Sequence, residues 1–221
     1  MRIKNVVVFD LDDTLYNEID FLKSAYKEIS VKISKEVSVK SLIIYNQMLE
    51  WFYNNHNVFE RVIKAYNSSL NVEELLNIYR THRPNLQLEK SKVGVLNDLK
   101  KRGVFMGLLT DGRSHQQRSK IEALKLNNWI SEIVISEEFG SEKPDVNNYK
   151  YFENVFGEAQ YSYIGDNIKK DFVTPNKLGW TTICLNDNGL NIHKQTTSMV
   201  QKEYLAQYKI DEFSELMKIV F

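Results

Sequence analysis

Downstream of Pro84, short apolar runs alternate with helix-length amphipathic segments, and that alternation restricts the chain to an α/β fold. Val93, Leu96 and Leu99 predict a helix stopped by Gly103, followed by a strand over 104–109 and a helix over 114–126. Strands over 133–135, 161–164 and 181–185 continue the series, with helices over 145–156 and 168–178 between them, the last ended by Gly179. Helical crossovers of this kind are right-handed and make the strands parallel, with helices on both faces of a doubly wound sheet. Upstream, residues 5–9 form a continuous apolar, β-branched run that stops at Asp10, as a buried parallel strand does where its carboxyl end meets solvent.

Between this first strand and the rest, the texture changes. Phe21, Leu22, Ala25, Ile29 and Ile33, then Leu42, Ile43, Tyr45, Met48, Leu49 and Phe52, recur at helical spacing. Asn71 with Glu74 predicts a capping box, and Pro84 closes the block. The expected organisation is an α/β core over 1–16 and 85–221, with a smaller all-helical cap over 17–84 seated above one end of the sheet. The tail from Ile192 is mixed, and Asp211 is the expected N-cap of a last short helix.

Composition removes several functional classes. Lys and Arg total 29 against 29 Asp and Glu, so the chain lacks the basic excess of a nucleic-acid binder. The single cysteine, Cys184, lies in an apolar run and is expected to be buried, which excludes a disulfide scaffold. No run reaches the ~18 apolar residues of a membrane span and no signal-peptide core precedes the first strand, so the expected location is cytoplasmic.

Open parallel sheets bind ligands outside the carboxyl ends of their strands, so the residues that follow each apolar run carry the information. After the first strand come Asp10, Asp12, Asp13 and Thr14; after the next, Thr110, Asp111 and Gly112. The loop after the third strand holds Lys143 and Pro144, and the fourth leads into Gly165, Asp166, Asn167 and, farther on, Asp171. Asp10, Asp12 and Asp166 in one crevice repel one another unless a cation neutralises them, and hard oxygen ligands at low count suit Mg2+. Carboxylates, a threonine hydroxyl, a lysine and magnesium suit phosphoryl transfer, which asks mainly for charge neutralisation and in-line positioning. No GxxxxGK[ST] loop occurs, so the nucleophile is expected to be a carboxylate.

FDLDDTLY at 9–16, LLTDG at 108–112, Lys143 with Pro144, and IGDNIKKD at 164–171 together resemble the four ordered motifs of the haloacid dehalogenase-like (HAD) hydrolase superfamily. The resemblance spans residues 5–185. It implies a Rossmann-like core in which Asp10 is the nucleophile that becomes an aspartyl-phosphate, and Asp12 the general acid/base. It also implies that Thr110, the Asp111 backbone amide and Lys143 hold the phosphoryl oxygens. Magnesium would be held by the side chains of Asp10 and Asp166 with the backbone carbonyl of Asp12. Asn167 and Asp171 would be supporting residues, Asp171 through water to the metal or as a partner of Lys143, Asn167 through metal-bound water or as a helix cap.

The expected activity is therefore hydrolysis of a small phosphorylated metabolite, a sugar phosphate or nucleotide, with no nucleic-acid or membrane partner. A phosphoglucomutase-like transfer shares the same core. A haloacid dehalogenase needs neither the acid two residues after the nucleophile nor the metal, so Asp12 weighs against it. A phospho-switch needs no cap and would have to retain the phosphoaspartate that Asp12 helps to hydrolyse, and a silent binding module would be expected to lack one of Asp10, Asp12, Lys143 or Asp166. Asp13 is expected to point away from the site and Thr14 to be structural. His56, His82 and His115 are expected at the surface or at helix ends, Arg61, Arg83 and Arg113 in solvent. Tyr45, Trp51, Phe52 and Tyr53 are expected to form the cap's own core rather than a base-stacking surface.

Overall fold

The computed structural model describes residues 4–196 and 200–221. The expected core segments also take in residues 1–3 and 197–199, which lie outside the described residues. Six parallel strands form one sheet: β1 (Lys4–Phe9), β2 (Phe105–Thr110), β3 (Glu132–Ile135), β4 (Ala159–Gly165), β5 (Thr181–Leu185) and β6 (Tyr208–Ile210). Their order is β3-β2-β1-β4-β5-β6, with β1 central and the chain winding outward to either side. This is the expected doubly wound sheet.

β1 shows the period of two that such a sheet requires. Val7 and Phe9 enter one apolar core, with Leu96, Leu99, Leu108 and Ile183; Val6 and Val8 enter the other, with Leu109, Tyr149, Phe152 and Trp180. Burial on both faces explains why the strand reads as continuously apolar rather than alternating. Each face is covered by crossover helices, among them α5 (Lys90–Lys101), α6 (Ser114–Ala123) and α8 (Val146–Phe156), whose N-cap is Asp145. Between β3 and the Lys143 loop the chain makes a single turn of helix, α7 (Ser136–Phe139).

Between β1 and α5 stand four helices: α1 (Glu18–Ser34), α2 (Ser41–Tyr53), α3 (Val58–Tyr66) and α4 (Val72–Thr81). They bury a separate apolar cluster that includes Tyr26, Ile29, Ile44, Met48, Val62 and Leu75. Tyr45, Trp51 and Phe52 pack against this cluster, as expected, whereas Tyr53 is exposed. The Asn71 capping box forms: Asn71 Oδ1 accepts from the Glu74 amide at 3.0 Å and Glu74 Oε2 from the Asn71 amide at 2.8 Å.

Four expectations need correction. The helix expected over 168–178 reduces to α9 (Val173–Lys177), because Asn167 and Asp171 divert the preceding backbone. Asn167 Oδ1 accepts from the Lys169 amide at 3.1 Å and Asp171 Oδ2 from the Asn167 amide at 2.9 Å, side-chain bonds that compete with helical ones. The helix expected over 114–126 stops at Ala123, and Lys125 adopts a left-handed conformation (φ 55°) before a 3-10 turn, Leu126–Asn128. Asp211 is not an N-cap: the Phe213–Glu215 turn has Glu212 at that position and α10 (Leu216–Ile219) has Glu215, while Asp211 Oδ1 accepts from Asn186 Nδ2 at 2.8 Å. The tail expected to be only mixed contributes β6, which is three residues long with one residue buried, too short for a recognisable pattern.

Candidate active site

The polar residues expected at the strand ends converge. Asp10 follows β1, and its amide continues the ladder to the Ile164 carbonyl at 2.8 Å, fixing the carboxylate at the central strand's end. Lys143 Nζ donates to Asp10 Oδ1 at 2.6 Å, to Asp171 Oδ1 at 2.7 Å and, at 3.1 Å, contacts the Tyr163 hydroxyl. The ammonium is thus shared between two carboxylates, both buried. Thr14 Oγ1 lies 3.4 Å from Asp10 Oδ2, so this threonine contacts the central carboxylate itself.

Asp10, Asp166 and Asp171 each place a carboxylate oxygen within 4.8 Å of the others. The strand-end pattern predicts a cluster of Asp10, Asp12 and Asp166; its third carboxylate is instead Asp171. The Asp12 carboxylate is turned to another set of donors: Lys120 Nζ at 2.7 and 2.9 Å, Gln117 Nε2 at 2.9 Å and the Tyr16 hydroxyl at 2.5 Å. Burial raises the Asp10 carboxyl to about 7 against the pull of Lys143, and burial with the charges of Asp10 and Asp171 raises Asp166 to about 9. Burial would raise Asp12 too, but the charge and hydrogen bonds of Lys120, with those of Tyr16 and Gln117, hold it below the usual carboxylate range. Lys143, whose burial alone would lower it, is kept firmly protonated by Asp10 and Asp171.

Lys143 is bonded to Asp10 and Asp171 but not to Asp166, so the three buried carboxylates cannot all ionise without a further cation. All the cluster's donors are oxygens, and Asp10, Asp12 and Asp166 line one cavity. That donor set fits a hard divalent cation. The cavity is lined by Asp10, Asp12, Asp13, Glu18, Thr110, Asp111, Lys143, Asp166, Asn167, Lys170 and His193. A larger groove at the amino-terminal ends of the strands, bordered by Asn5, Glu153 and Trp180, gathers no comparable set of charges and lies at the wrong end of the sheet for a ligand.

Asp111 Oδ1 accepts from the Lys143 amide at 3.0 Å and Oδ2 from Lys170 Nζ at 2.6 Å, which joins the second loop to the third and the fourth. Thr110 Oγ1 accepts from Gln117 Nε2 at 2.6 Å. Asn167 Oδ1 accepts from the Lys169 amide inside the turn that follows it rather than at the start of α9, whose N-cap is Phe172, and Asp171 accepts from Lys143. Asp13 borders the cavity, but its carboxylate is consumed by the amides of Glu18 at 2.8 Å and Ile192 at 2.9 Å, a structural use. His56 and His115 are exposed. His82 stands at the end of α4, as expected of a helix-end residue, but is buried, bonded to Glu28 and, at 2.7 Å, to Ser24 Oγ.

A family model described as haloacid dehalogenase-like hydrolase matches residues 7–185, which include all four loops. The chain belongs to the haloacid dehalogenase-like hydrolase family. Among relatives of this HAD-like chain, glyceraldehyde 3-phosphate phosphatase of Methanocaldococcus jannaschii is 24% identical, covering 97% of this chain and 96% of its own. Human N-acylneuraminate-9-phosphatase is 28% identical, with 83% of each chain covered. In fold, the HAD hydrolase resembles the magnesium-bound HAD-hydrolase YfnB from Bacillus subtilis, with a TM-score of 0.71, 18% identity and 99% of both chains covered.

The sequence alone does not reveal Gln117, Lys120, Tyr163, Lys170 and Asn191. Gln117 and Lys120 share a helix face with Ile121 and Leu124, residues bound to face the core, and that shared face is the available signal. Asn191 Nδ2 donates to Asp166 Oδ2 at 3.0 Å from a loop whose sequence shows no such role.

Proposed function

We propose that this HAD-like hydrolase is a magnesium-dependent phosphomonoesterase that removes phosphate from a small phosphorylated metabolite through an aspartyl-phosphate on Asp10. The observation that carries the reading is the sharing of one buried lysine, Lys143, between Asp10 and Asp171 inside a carboxylate cluster. An ammonium so held neutralises an incoming phosphoryl group beside the nucleophile without having to reorganise.

Asp10 attacks phosphorus, the bond from phosphorus to the substrate oxygen breaks, and that oxygen takes a proton from Asp12, which gains it from solvent when the negative charge of the bound phosphate opposes the pull of Lys120 on its carboxylate. Asp12, now a base, takes a proton from a water molecule that attacks the aspartyl-phosphate, releasing inorganic phosphate and restoring Asp10. Thr110, the Asp111 amide and Lys143 hold the phosphoryl oxygens. Asp10, Asp166 and the Asp12 carbonyl would hold Mg2+, with Asn167 and Asp171 in support; the ion would neutralise the carboxylates and the phosphoryl charge. The helical segment 17–84 acts as a cap that shields the first step from bulk water and selects substrates.

A sugar phosphate is favoured over a nucleotide, because the relatives named above are glyceraldehyde 3-phosphate phosphatase and N-acylneuraminate-9-phosphatase, and Tyr45, Trp51 and Phe52 of α2 are absorbed in packing. No helix among the described residues is long and apolar enough to cross a membrane, and the charge balance favours no polyanion, in keeping with a cytoplasmic enzyme acting on metabolites. The test is Asp10→Asn, which keeps shape but not nucleophilicity: phosphate release from sugar phosphates with Mg2+ should vanish while the thermal transition is retained. Activity of the variant within tenfold of the parent would overturn the reading.

A further inference from the structure

We propose that Lys120 is the positioning residue for Asp12, and that through the ring of Phe21 it ties the aim of Asp12 to the seating of the helical segment. Lys120 lies on α6, and its side chain is 2% exposed. A lysine so deeply buried must spend its charge on a partner. Its Nζ reaches both oxygens of Asp12, at 2.7 and 2.9 Å, while Gln117, one turn earlier on the same face, donates to Oδ2 at 2.9 Å. Asp12 sits on a loop, where its carboxylate could otherwise turn. A two-point grip by the ammonium, with the amide beside it, fixes the plane of the group and not merely its place.

The same ammonium faces the segment inserted after β1. It stands 4.8 Å from the centre of the Phe21 ring on α1 and 6.0 Å from that of Tyr16, whose hydroxyl is the remaining donor to Asp12. The Phe21 ring packs edge-on against Tyr79 on α4, with centroids 5.3 Å apart, and against His82 at 5.8 Å. Phe21, near the start of α1, therefore touches the end of α4, where the chain leaves the helical segment for the sheet, and it presents its face to the cation that grips Asp12. Movement of the segment moves that ring, so seating the helices and aiming Asp12 become one event. Lys120 makes no hydrogen bond to Asp10, Lys143 or Asp166, so it acts on the reaction only through Asp12.

The proposal rests on the reading of Asp12 as the group that protonates the leaving oxygen, and its test contains that reading as a reference. p-Nitrophenyl phosphate, whose leaving group needs little protonation, is compared with an alkyl phosphate such as glycerol phosphate, with kcat and KM measured separately. Asp12→Asn should lose far more kcat on the alkyl ester. Lys120→Met should reproduce that pattern, its kcat on the alkyl ester falling at least about tenfold further than on the nitrophenyl ester, with KM little changed. In the Asp12→Asn background the same change should add almost nothing, because a residue that acts through Asp12 has nothing left to act on. Phe21→Leu should shift the two substrates in the same direction by a smaller factor.

Equal losses on both esters, or full additivity with Asp12→Asn, would overturn the role of Lys120 alone. Absence of leaving-group dependence in Asp12→Asn itself would remove the reading of Asp12 and this proposal with it. Should Lys120→Met lack a cooperative unfolding transition, Lys120→Gln, which keeps a donor without the charge, takes its place: a larger loss on the alkyl ester supports the role, and equal losses overturn it.

Discussion

Gly165, the last residue of β4, has no room for a methyl group, and what would crowd it is Asp171. An added Cβ would lie 2.4 Å from Asp171 Oδ2, 2.8 Å from its Cγ and 3.1 Å from its Cβ, so reaching ordinary contact at 3.4 Å requires a retreat of about 1 Å (3.4 − 2.4). Asp171 is fully buried, its Oδ2 accepts from the Asn167 amide and its Oδ1 from Lys143 at 2.7 Å, so any retreat loosens the lysine's second anchor. Gly165→Ala should therefore destabilise the protein by about 1–3 kcal/mol, as overpacking does in well-filled interiors. At ~2–4 °C of Tm per kcal/mol for a chain of this size, thermal unfolding will read that directly. Phosphate release should fall by about 10²-fold, the penalty for displacing a positioned group by an ångström.

Gly107→Ala supplies the control. Its Cβ would meet Phe152 Cε1 at 2.5 Å in the apolar core, so it should cost similar stability yet leave kcat nearly unchanged. Equal activity losses in the two variants, or a fully active Gly165→Ala, would refute the link between Asp171 and Lys143 on which the reasoning depends.

Two further expectations concern the metal. Asp10 and Asp166 are raised in the folded chain, to about 7 and about 9, so the folded state binds their protons more tightly than the unfolded one. The stability they confer is full below about pH 4 and is lost as pH rises through those values, so the Tm of the chelated protein should fall from pH 5 to pH 9. Mg2+ should then raise Tm more at pH 8 than at pH 6; a chelated Tm that rises over this range would contradict the assignment. Asn191→Ala removes the only side-chain hydrogen bond to the Asp166 carboxylate among the described residues, and Mg2+ affinity from calorimetric titration should weaken by about 10–100-fold with the fold intact. An unchanged affinity would separate Asp166 from the metal.

The sheet is legible in the sequence because parallel strands buried on both faces announce themselves as apolar runs, and their abrupt polar ends mark where ligands meet the fold. β5 matches its apolar run to the residue, while β6 is too short to carry a pattern. The site is legible wherever a side chain ends a strand or follows it directly, as Thr110 does in the first way and Asp10 and Asp166 in the second. It is opaque where a helix face or a distant loop supplies the partner: Lys120 lies 108 residues from Asp12, and Asn191 is 25 residues beyond Asp166. Polar residues on a helix read as solvated unless the apolar neighbours on the same face are counted first. The short α9 has a related cause, because Asn167 and Asp171 spend their side chains on backbone amides that a helix would have claimed.

The central claim is that Asp10 itself carries the phosphoryl group. Acid-quenched Asp12→Ala, mixed with Mg2+ and p-nitrophenyl phosphate, whose leaving group needs little protonation, should accumulate the intermediate, since the base that hydrolyses it is gone, and mass analysis of its peptides should place one phosphoryl group on Asp10. The parent should show the same modification transiently, and Asp10→Asn none. A phosphoryl group on any other residue, or turnover by the parent with Asp10 never modified, would contradict the account.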